Sequence, residues 1–96
     1  MGLELVRENA IEHLQKVCGP QNSLTAKNQA PSSIRAMFGK DSLRNAVHCS
    51  DSQQAYEHES RVYFSINRTT ALLNNCTCAV IKPHVLHSNN LGKLLD

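Results

Sequence analysis

Apolar residues recur at helical spacing near the start of the chain, at Leu3, Val6, Ala10, Leu14 and Val17. Residues three or four apart share one face of a helix, so this stripe predicts a helix over residues 3–18. The Gly19–Pro20 pair that follows would end the helix, because proline cannot continue the backbone ladder. Residues 21–31 are polar and predict a loop.

A proline precedes the next apolar group, which predicts a short helical turn over residues 32–38. The turn would bury Ile34, Met37 and Phe38. Residues 43–48 then alternate well enough between apolar and polar positions to predict a short strand, since successive side chains of a strand point to opposite faces. The middle of the chain therefore combines helical and extended structure.

A second helix is predicted directly after this strand. Ser50 and Gln53 lie three residues apart, which is the signature of a capping box at a helix N-terminus. One face of the helix would carry Ala55, Glu59, Val62, Tyr63 and Ile66.

The last part of the chain reads as a polar linker over 67–75, a buried strand over 76–81, a loop over 84–90 and the start of a helix over 91–96. Only two strands are predicted in total, and two strands alone are rarely stable. The pattern is therefore typical of a fragment of a larger α+β protein with an incomplete sheet.

With 96 residues the chain has the length of one small domain. A net charge of +2 with two Tyr, two Phe and no Trp argues against a nucleic-acid partner. The apolar runs are too short to cross a bilayer, and the N-terminus does not match a signal peptide. We therefore expect a cytoplasmic protein with no membrane partner, whose four cysteines are reduced.

The candidate chemistry centres on His48, which ends the predicted strand just before a helix N-terminus. Backbone amides at such a position favour phosphate, and a neutral imidazole is a good phosphoryl acceptor. Glu59 follows eleven residues later on the helix and could fix the imidazole tautomer. A histidine at a strand end is more often structural than catalytic, so this pattern alone leaves both interpretations open.

The residues around His48 resemble the active-site segment of the nucleoside diphosphate kinase family. Asn45, His48, Ser50 and Asp51 match a motif that reads Asn-x-x-His-Gly-Ser-Asp. Upstream, residues 33–39 are similar to the family segment Thr-Ile-Arg-Gly-x-Phe. The resemblance implies a partial ferredoxin-like fold.

A second resemblance lies at residues 75–84, which look like the opening strand of another domain of the same family, ending in Lys-Pro. The order implies the C-terminal half of one kinase domain (1–66), a linker (67–75) and the start of a second domain (76–96). Tandem members of the family are associated with cilia. The resemblance therefore implies tubulin or axonemal microtubule proteins as partners, and a location in the axoneme or cytoskeleton.

The resemblance also implies roles for single residues. His48 would take the γ-phosphoryl group from a nucleoside triphosphate and pass it to a nucleoside diphosphate, through a phosphohistidine. Glu59 would hold the imidazole, and Ser50 would support the Glu59 carboxylate. Arg35 would neutralise phosphate oxygens, and Asn45 would bind the ribose and phosphate region.

The cofactor implied by the resemblance is Mg²⁺, bound to the nucleotide phosphates. Lys82 resembles the phosphate-contacting lysine of the family. The resemblance implies that it belongs to the following domain's site, so in a full-length protein it is not expected beside His48. No metal site made by the protein is predicted. Cys76 and Cys78 share a strand face, and with only two histidines nearby they are better explained as core thiols.

Three positions depart from the family pattern. Gln15 stands where the family has an arginine, Gln21 where it has a nucleotide-contacting threonine, and Cys49 where it has a glycine. Glutamine cannot replace a bidentate guanidinium clamp, and the neighbouring Lys16 is expected to point elsewhere on the helix.

The sequence leaves three hypotheses for the chain: a kinase module, a non-catalytic axonemal component, and a truncated fragment without autonomous activity. The isolated chain is predicted to be largely inactive. Cys49 could also be a reactive thiol, because a helix N-terminus favours the thiolate.

Overall fold

The computed structural model of the protein describes residues 1–64 and 75–96. The elements are, in chain order, β1 (Gly2–Val6), α1 (Ala10–Cys18), α2 (Ser23–Gln29), α3 (Ile34–Phe38), β2 (Val47–Cys49), α4 (Gln53–Phe64), β3 (Cys76–Ile81), α5 (Pro83–His87) and α6 (Leu91–Leu95). Within the described residues, the strands form one antiparallel sheet in the order β1-β3-β2. This combination of helices with a small sheet confirms the predicted α+β class.

Strand β3 lies at the centre of the sheet and confirms the predicted buried strand over 76–81. Val80 pairs with Gly2 of β1 and also with His48 of β2, so both outer strands depend on β3. Five of its six side chains are buried, as expected of a strand covered on both faces. The prediction of only two strands is wrong, because the N-terminal segment supplies a third.

The predicted helix over residues 3–18 is wrong in its first part. The chain there forms β1, and α1 begins only after Asn9, whose backbone is left-handed with φ of 51°. Leu3 packs into the core cluster that contains Ile81. A few apolar positions fit both the helical and the strand period, and the paired strand β3 decides between them.

The predicted loop over residues 21–31 is wrong as well, because α2 lies within it. The Asn22 side chain accepts a hydrogen bond from the backbone N–H of Leu24 at 2.9 Å and so caps the helix. Ser23 and Ala26 are fully buried although the segment is polar. Small side chains permit this close packing of α2 against α3. The segment has no stripe of apolar residues from which a helix could be predicted.

The predicted strand over residues 43–48 is shorter and starts later than expected, since β2 begins at Val47. The Asp41 carboxylate instead accepts hydrogen bonds from the backbone N–H groups of Leu43 and Arg44 and holds a turn. Ala46 then has φ of 76°, which an extended strand cannot contain. Leu43 is 83% exposed rather than part of a sheet.

Helices α3 and α4 are present as predicted, but their faces differ from the prediction. In α3, Met37 is exposed while Ile34 and Phe38 pack against the core. In α4, Tyr56 is the buried side chain, whereas Val62 and Tyr63 are exposed. The predicted face residue Ile66 lies outside the described residues.

The capping-box prediction for α4 assigns the wrong residues. The Ser52 hydroxyl accepts the hydrogen bond from the backbone N–H of Ala55 at 3.1 Å. Ser50 lies two residues before this position and uses its hydroxyl elsewhere, as described below. The cap therefore moves by two residues along the chain.

The C-terminal segment contains one more helix than expected. The predicted loop over 84–90 is wrong in its first half, because α5 begins at Pro83, a residue well suited to the first turn of a helix. The predicted helix start after residue 90 is confirmed by α6. The predicted linker over 67–75 lies almost entirely outside the described residues.

Candidate functional site

An open cleft of about 860 Å³ brings together four of the six side chains singled out from the sequence: Arg35, Asn45, His48 and Lys82. The C-terminal end of α1 forms one side of this cleft, and β2 with the turn before it forms the other. The remaining two, Ser50 and Glu59, lie behind His48. The cleft lies where the sheet meets a helix end, a common place for a binding site.

His48, Glu59 and Ser50 form a continuous hydrogen-bonded chain. The Nε2 atom of His48 lies 2.8 Å from Oε1 of Glu59, and the Ser50 hydroxyl donates to Oε2 of the same carboxylate at 2.6 Å. Ser50 is fully buried, whereas the His48 side chain is 48% exposed. Both carboxylate oxygens are thus fixed while the ring faces the cleft.

The charge state of Glu59 determines which imidazole nitrogen is nucleophilic. Partial burial pushes the pKa of Glu59 upward, but hydrogen bonds from Ser50 and His48 outweigh it, and the net pKa is lower than usual. The ionised carboxylate can only accept, so Nε2 of His48 carries the hydrogen. The lone pair of the neutral ring is then on Nδ1.

Arg35 is buried and connects three parts of the structure. Its Nε and Nη2 atoms donate to the carbonyl of Val47 at 3.3 and 3.1 Å, and Nη1 donates to the carbonyl of Gly19 at 2.8 Å. A guanidinium has five N–H groups, so two more remain after these bonds. The side chain therefore fixes the cleft wall and carries a positive charge at the cleft.

Asn45 presents a buried oxygen that needs a partner. Its Nδ2 donates to the carbonyl of Gln21 at 2.8 Å, which fixes the orientation of the amide. Its Oδ1 is buried and has no hydrogen-bond partner among the described residues. A buried polar atom without a partner is costly, and a ligand hydroxyl or N–H in the cleft would satisfy it.

Lys82 borders the same cleft as His48 in this chain. The expectation that the two lie apart concerned the full-length protein and stays a prediction. Strand β3 places Lys82 at the cleft, because that strand pairs directly with β2. The Lys82 ammonium donates to the carbonyl of Leu43 at 2.8 Å. Partial burial lowers the pKa of Lys82, the Arg35 charge adds to this effect, and the Asp41 carboxylate opposes it.

The positions that depart from the family pattern also border the cleft. Gln15 and Gln21 both line it, as does Cys49. Lys16 borders the cleft too, but its side chain is directed to Glu12. Its ammonium lies 2.9 Å from the Glu12 carboxylate at the exposed rim, a pair that the spacing of four residues already indicated.

Two absences concern the described residues. They contain no group of three or more His, Cys, Asp or Glu side chains that could hold a metal ion. None of the helices within residues 1–64 and 75–96 is long and apolar enough to cross a membrane.

The described residues thus form an α+β protein in which a carboxylate-held histidine borders an open cleft. The profile described as "Nucleoside diphosphate kinase" matches residues 1–69 of this chain. The chain belongs to the nucleoside diphosphate kinase family.

Individual relatives agree with this assignment. The chain is 39% identical over 100 residues to nucleoside diphosphate kinase homolog 7 of Rattus norvegicus, with 99% of this chain and 25% of the relative covered. It is 47% identical over 60 residues to homolog 5 of Homo sapiens, with 62% of this chain and 28% of the relative covered. The chain thus spans about a quarter of the length of these relatives.

A solved structure supports the fold. The nucleoside diphosphate kinase of Aquifex aeolicus, in an orthorhombic crystal form, superposes with a TM-score of 0.56 at 42% sequence identity. The match covers 56% of this chain and 38% of the Aquifex chain. The predicted partial kinase fold is therefore confirmed.

Proposed function

We propose that this chain carries a phosphoryl-transfer site of the nucleoside diphosphate kinase type, with His48 as the group that is phosphorylated. The observation that carries the proposal is the bond between Glu59 and Nε2 of His48. It leaves the lone pair of the half-exposed ring on Nδ1, where a γ-phosphoryl group can approach from the cleft. Nδ1 would attack phosphorus, and the nucleoside diphosphate would leave.

The other cleft residues have roles that follow from their charge and contacts. Arg35 and Lys82 supply positive charge near the transferred group, which is the main demand of phosphoryl transfer. The buried Oδ1 of Asn45 is an acceptor suited to a ribose hydroxyl. Mg²⁺ bound to the nucleotide would neutralise phosphate charge and orient the phosphates. Glu59 stabilises the positive charge that develops on the imidazole.

The return transfer completes the proposed cycle. A nucleoside diphosphate would occupy the same cleft, and its terminal phosphate oxygen would attack the phosphohistidine. The N–P bond breaks as the new O–P bond forms, and neutral His48 is regenerated. Both half-reactions use one site, which gives ping-pong kinetics.

Phosphohistidine formation tests the proposal. The chain is incubated with γ-labelled ATP and Mg²⁺, and label that is stable to base but lost in acid is measured. Labelling needs only the first half-reaction, so it is expected even where turnover by the isolated chain is low. We expect the label on wild-type protein and on His13→Asn, whose histidine is exposed on α1, and none on His48→Asn. A folded wild-type chain that stays unlabelled, or a labelled His48→Asn variant, would contradict the proposal.

We propose as the second candidate a non-catalytic role as a component of axonemal microtubules in the cilium, within the cytoplasm and cytoskeleton. Gln15 and Gln21 favour it, because both line the cleft at positions where an arginine and a threonine would bind nucleotide more strongly. Co-sedimentation with stabilised microtubules tests this role. We expect equal binding of wild type and His48→Asn, and wild-type protein left in the supernatant would contradict it.

A further inference from the structure

Two cysteines that the proposed transfer does not use lie together beneath the cleft. Cys18 is the last residue of α1 and Cys49 is the last residue of β2. Both belong to one core cluster, whose other buried members are Leu14, Val47 and Ala79. Helix α1 packs against β2, and each thiol is the largest influence on the pKa of the other, so the two side chains lie close together.

The two thiols differ in access and in surroundings. Cys49 borders the cleft and is 8% exposed, whereas Cys18 is fully buried. The hydrogen bond from Cys18 lowers the pKa of Cys49, burial opposes this, and the positive charge of Arg35 lowers it further. A thiolate is the reactive form of cysteine. Cys49 is therefore the thiol that we expect to react first with a reagent that enters the cleft.

We propose that Cys18 and Cys49 form an oxidisable dithiol pair, a modification site that hydrogen peroxide converts into a disulfide between α1 and β2. The proposal rests on the common core cluster, on the packing of α1 against β2, and on the opening of Cys49 alone to the cleft. It does not require that His48 be phosphorylated.

The oxidation takes place in two balanced steps. The Cys49 thiolate attacks one peroxide oxygen, the S–O bond forms, the O–O bond breaks, and hydroxide leaves with a proton as water. The Cys18 sulfur then attacks the sulfenic sulfur of Cys49, the S–S bond forms and the S–O bond breaks. The Cys18 proton leaves with the hydroxyl as a second water. The two sulfurs lose two electrons in total, and the peroxide gains them.

The other two cysteines serve as internal controls. Cys76 and Cys78 lie two residues apart on β3, in a separate core cluster with Tyr56. Burial and the negative charges of Glu59 and Glu4 raise the pKa of Cys78, which disfavours its thiolate. Neither borders the cleft that Cys49 faces, so we expect both thiols to stay reduced when peroxide is added.

Peptide mapping without reduction tests the proposal. The folded full chain is treated with one equivalent of hydrogen peroxide, free thiols are alkylated after denaturation, and the chain is cut with trypsin. Cys18 then lies in the peptide 17–27 and Cys49 in the peptide 45–61, because cleavage follows Lys16, Lys27, Arg44 and Arg61. We expect these two peptides as one linked species, lighter by two hydrogens than their sum, with Cys76 and Cys78 alkylated.

Variants separate this pair from random oxidation. Cys18→Ser should abolish the linked species and leave Cys49 as sulfenic acid, which dimedone traps, since no neighbouring thiol resolves it. The matched control Cys78→Ala should retain the link. Alkylation of all four wild-type cysteines after peroxide, a link to Cys76 or Cys78, or a disulfide between two copies of the chain would overturn the proposal. The wild-type result decides even if a variant does not fold.

Discussion

At the scale of single residues, the chemistry of the candidate site depends on how one carboxylate is held. Ser50 and His48 bind the two oxygens of Glu59 from opposite sides. The sequence motif indicated these three residues, because their spacing across a strand end and the second turn of a helix places them together. It did not indicate that Ser50 would be fully buried.

We predict that Glu59→Gln lowers the rate of His48 phosphorylation by roughly 10²-fold, because the variant loses the negative charge that stabilises the imidazolium. Gln has a single amide oxygen, so it cannot accept from both the Ser50 hydroxyl and Nε2 of His48 as the two carboxylate oxygens of Glu59 do. Single-turnover labelling with γ-labelled ATP measures the rate. Glu57→Gln is the matched control, since Glu57 is exposed on the same helix. An unchanged rate in Glu59→Gln would contradict the role of Glu59.

At the scale of elements, buried connections hold the cleft in shape. Arg35 of α3 binds the carbonyl of Val47 in β2 and the carbonyl of Gly19 after α1. The motif match predicted a phosphate-binding arginine. That this side chain also joins three elements follows only from the tertiary structure.

We predict that Arg35→Met lowers the free energy of unfolding by about 2–4 kcal/mol, because the buried carbonyl of Val47 and the partly buried carbonyl of Gly19 lose their partners. Urea denaturation followed by far-ultraviolet circular dichroism measures the change. Lys16→Met serves as the control, because its charge lies at the exposed rim of the same cleft, and it should leave stability unchanged. Equal stability of Arg35→Met and wild type would show that the guanidinium bonds do not support the fold.

We also predict that shortening a buried side chain of the central strand β3 lowers the stability of the protein. Ile81 is 1% exposed and packs with Ala46 and Val85. Ile81→Val should lower the free energy of unfolding by about 1 kcal/mol, because a buried methylene is lost and a small cavity remains. The control is Leu43→Ala, because Leu43 is exposed. This substitution should leave the free energy of unfolding unchanged in the same urea experiment. Similar effects of the two substitutions would argue against β3 as the core of the sheet.

At the scale of the whole molecule, β3 joins segments that the sequence assigns to two different kinase domains. Residues 76–81 pair with β1 on one side and with β2 on the other. The division of the chain at residues 67–75 stays a prediction for the longer relatives. Within this chain, the sheet and the cleft both depend on residues from either side of that division.

We therefore predict one cooperative thermal transition for the full chain of 96 residues. Far-ultraviolet circular dichroism reports the helices and near-ultraviolet circular dichroism reports buried Tyr56, and the two curves should coincide. Two separate transitions would indicate that the segments fold independently. A gradual loss of signal without a transition would support the alternative hypothesis of a fragment without autonomous function.

The sequence by itself determined the family, the His48 motif and the buried strand over 76–81, because each is carried by residues close together in the chain. Only the tertiary structure decided that the N-terminal segment is a strand, that Lys82 borders the His48 cleft, and that Cys18 meets Cys49. These three features rest on contacts between distant segments. A local pattern fits more than one secondary structure, and the free energy of pairing with a distant strand selects among them.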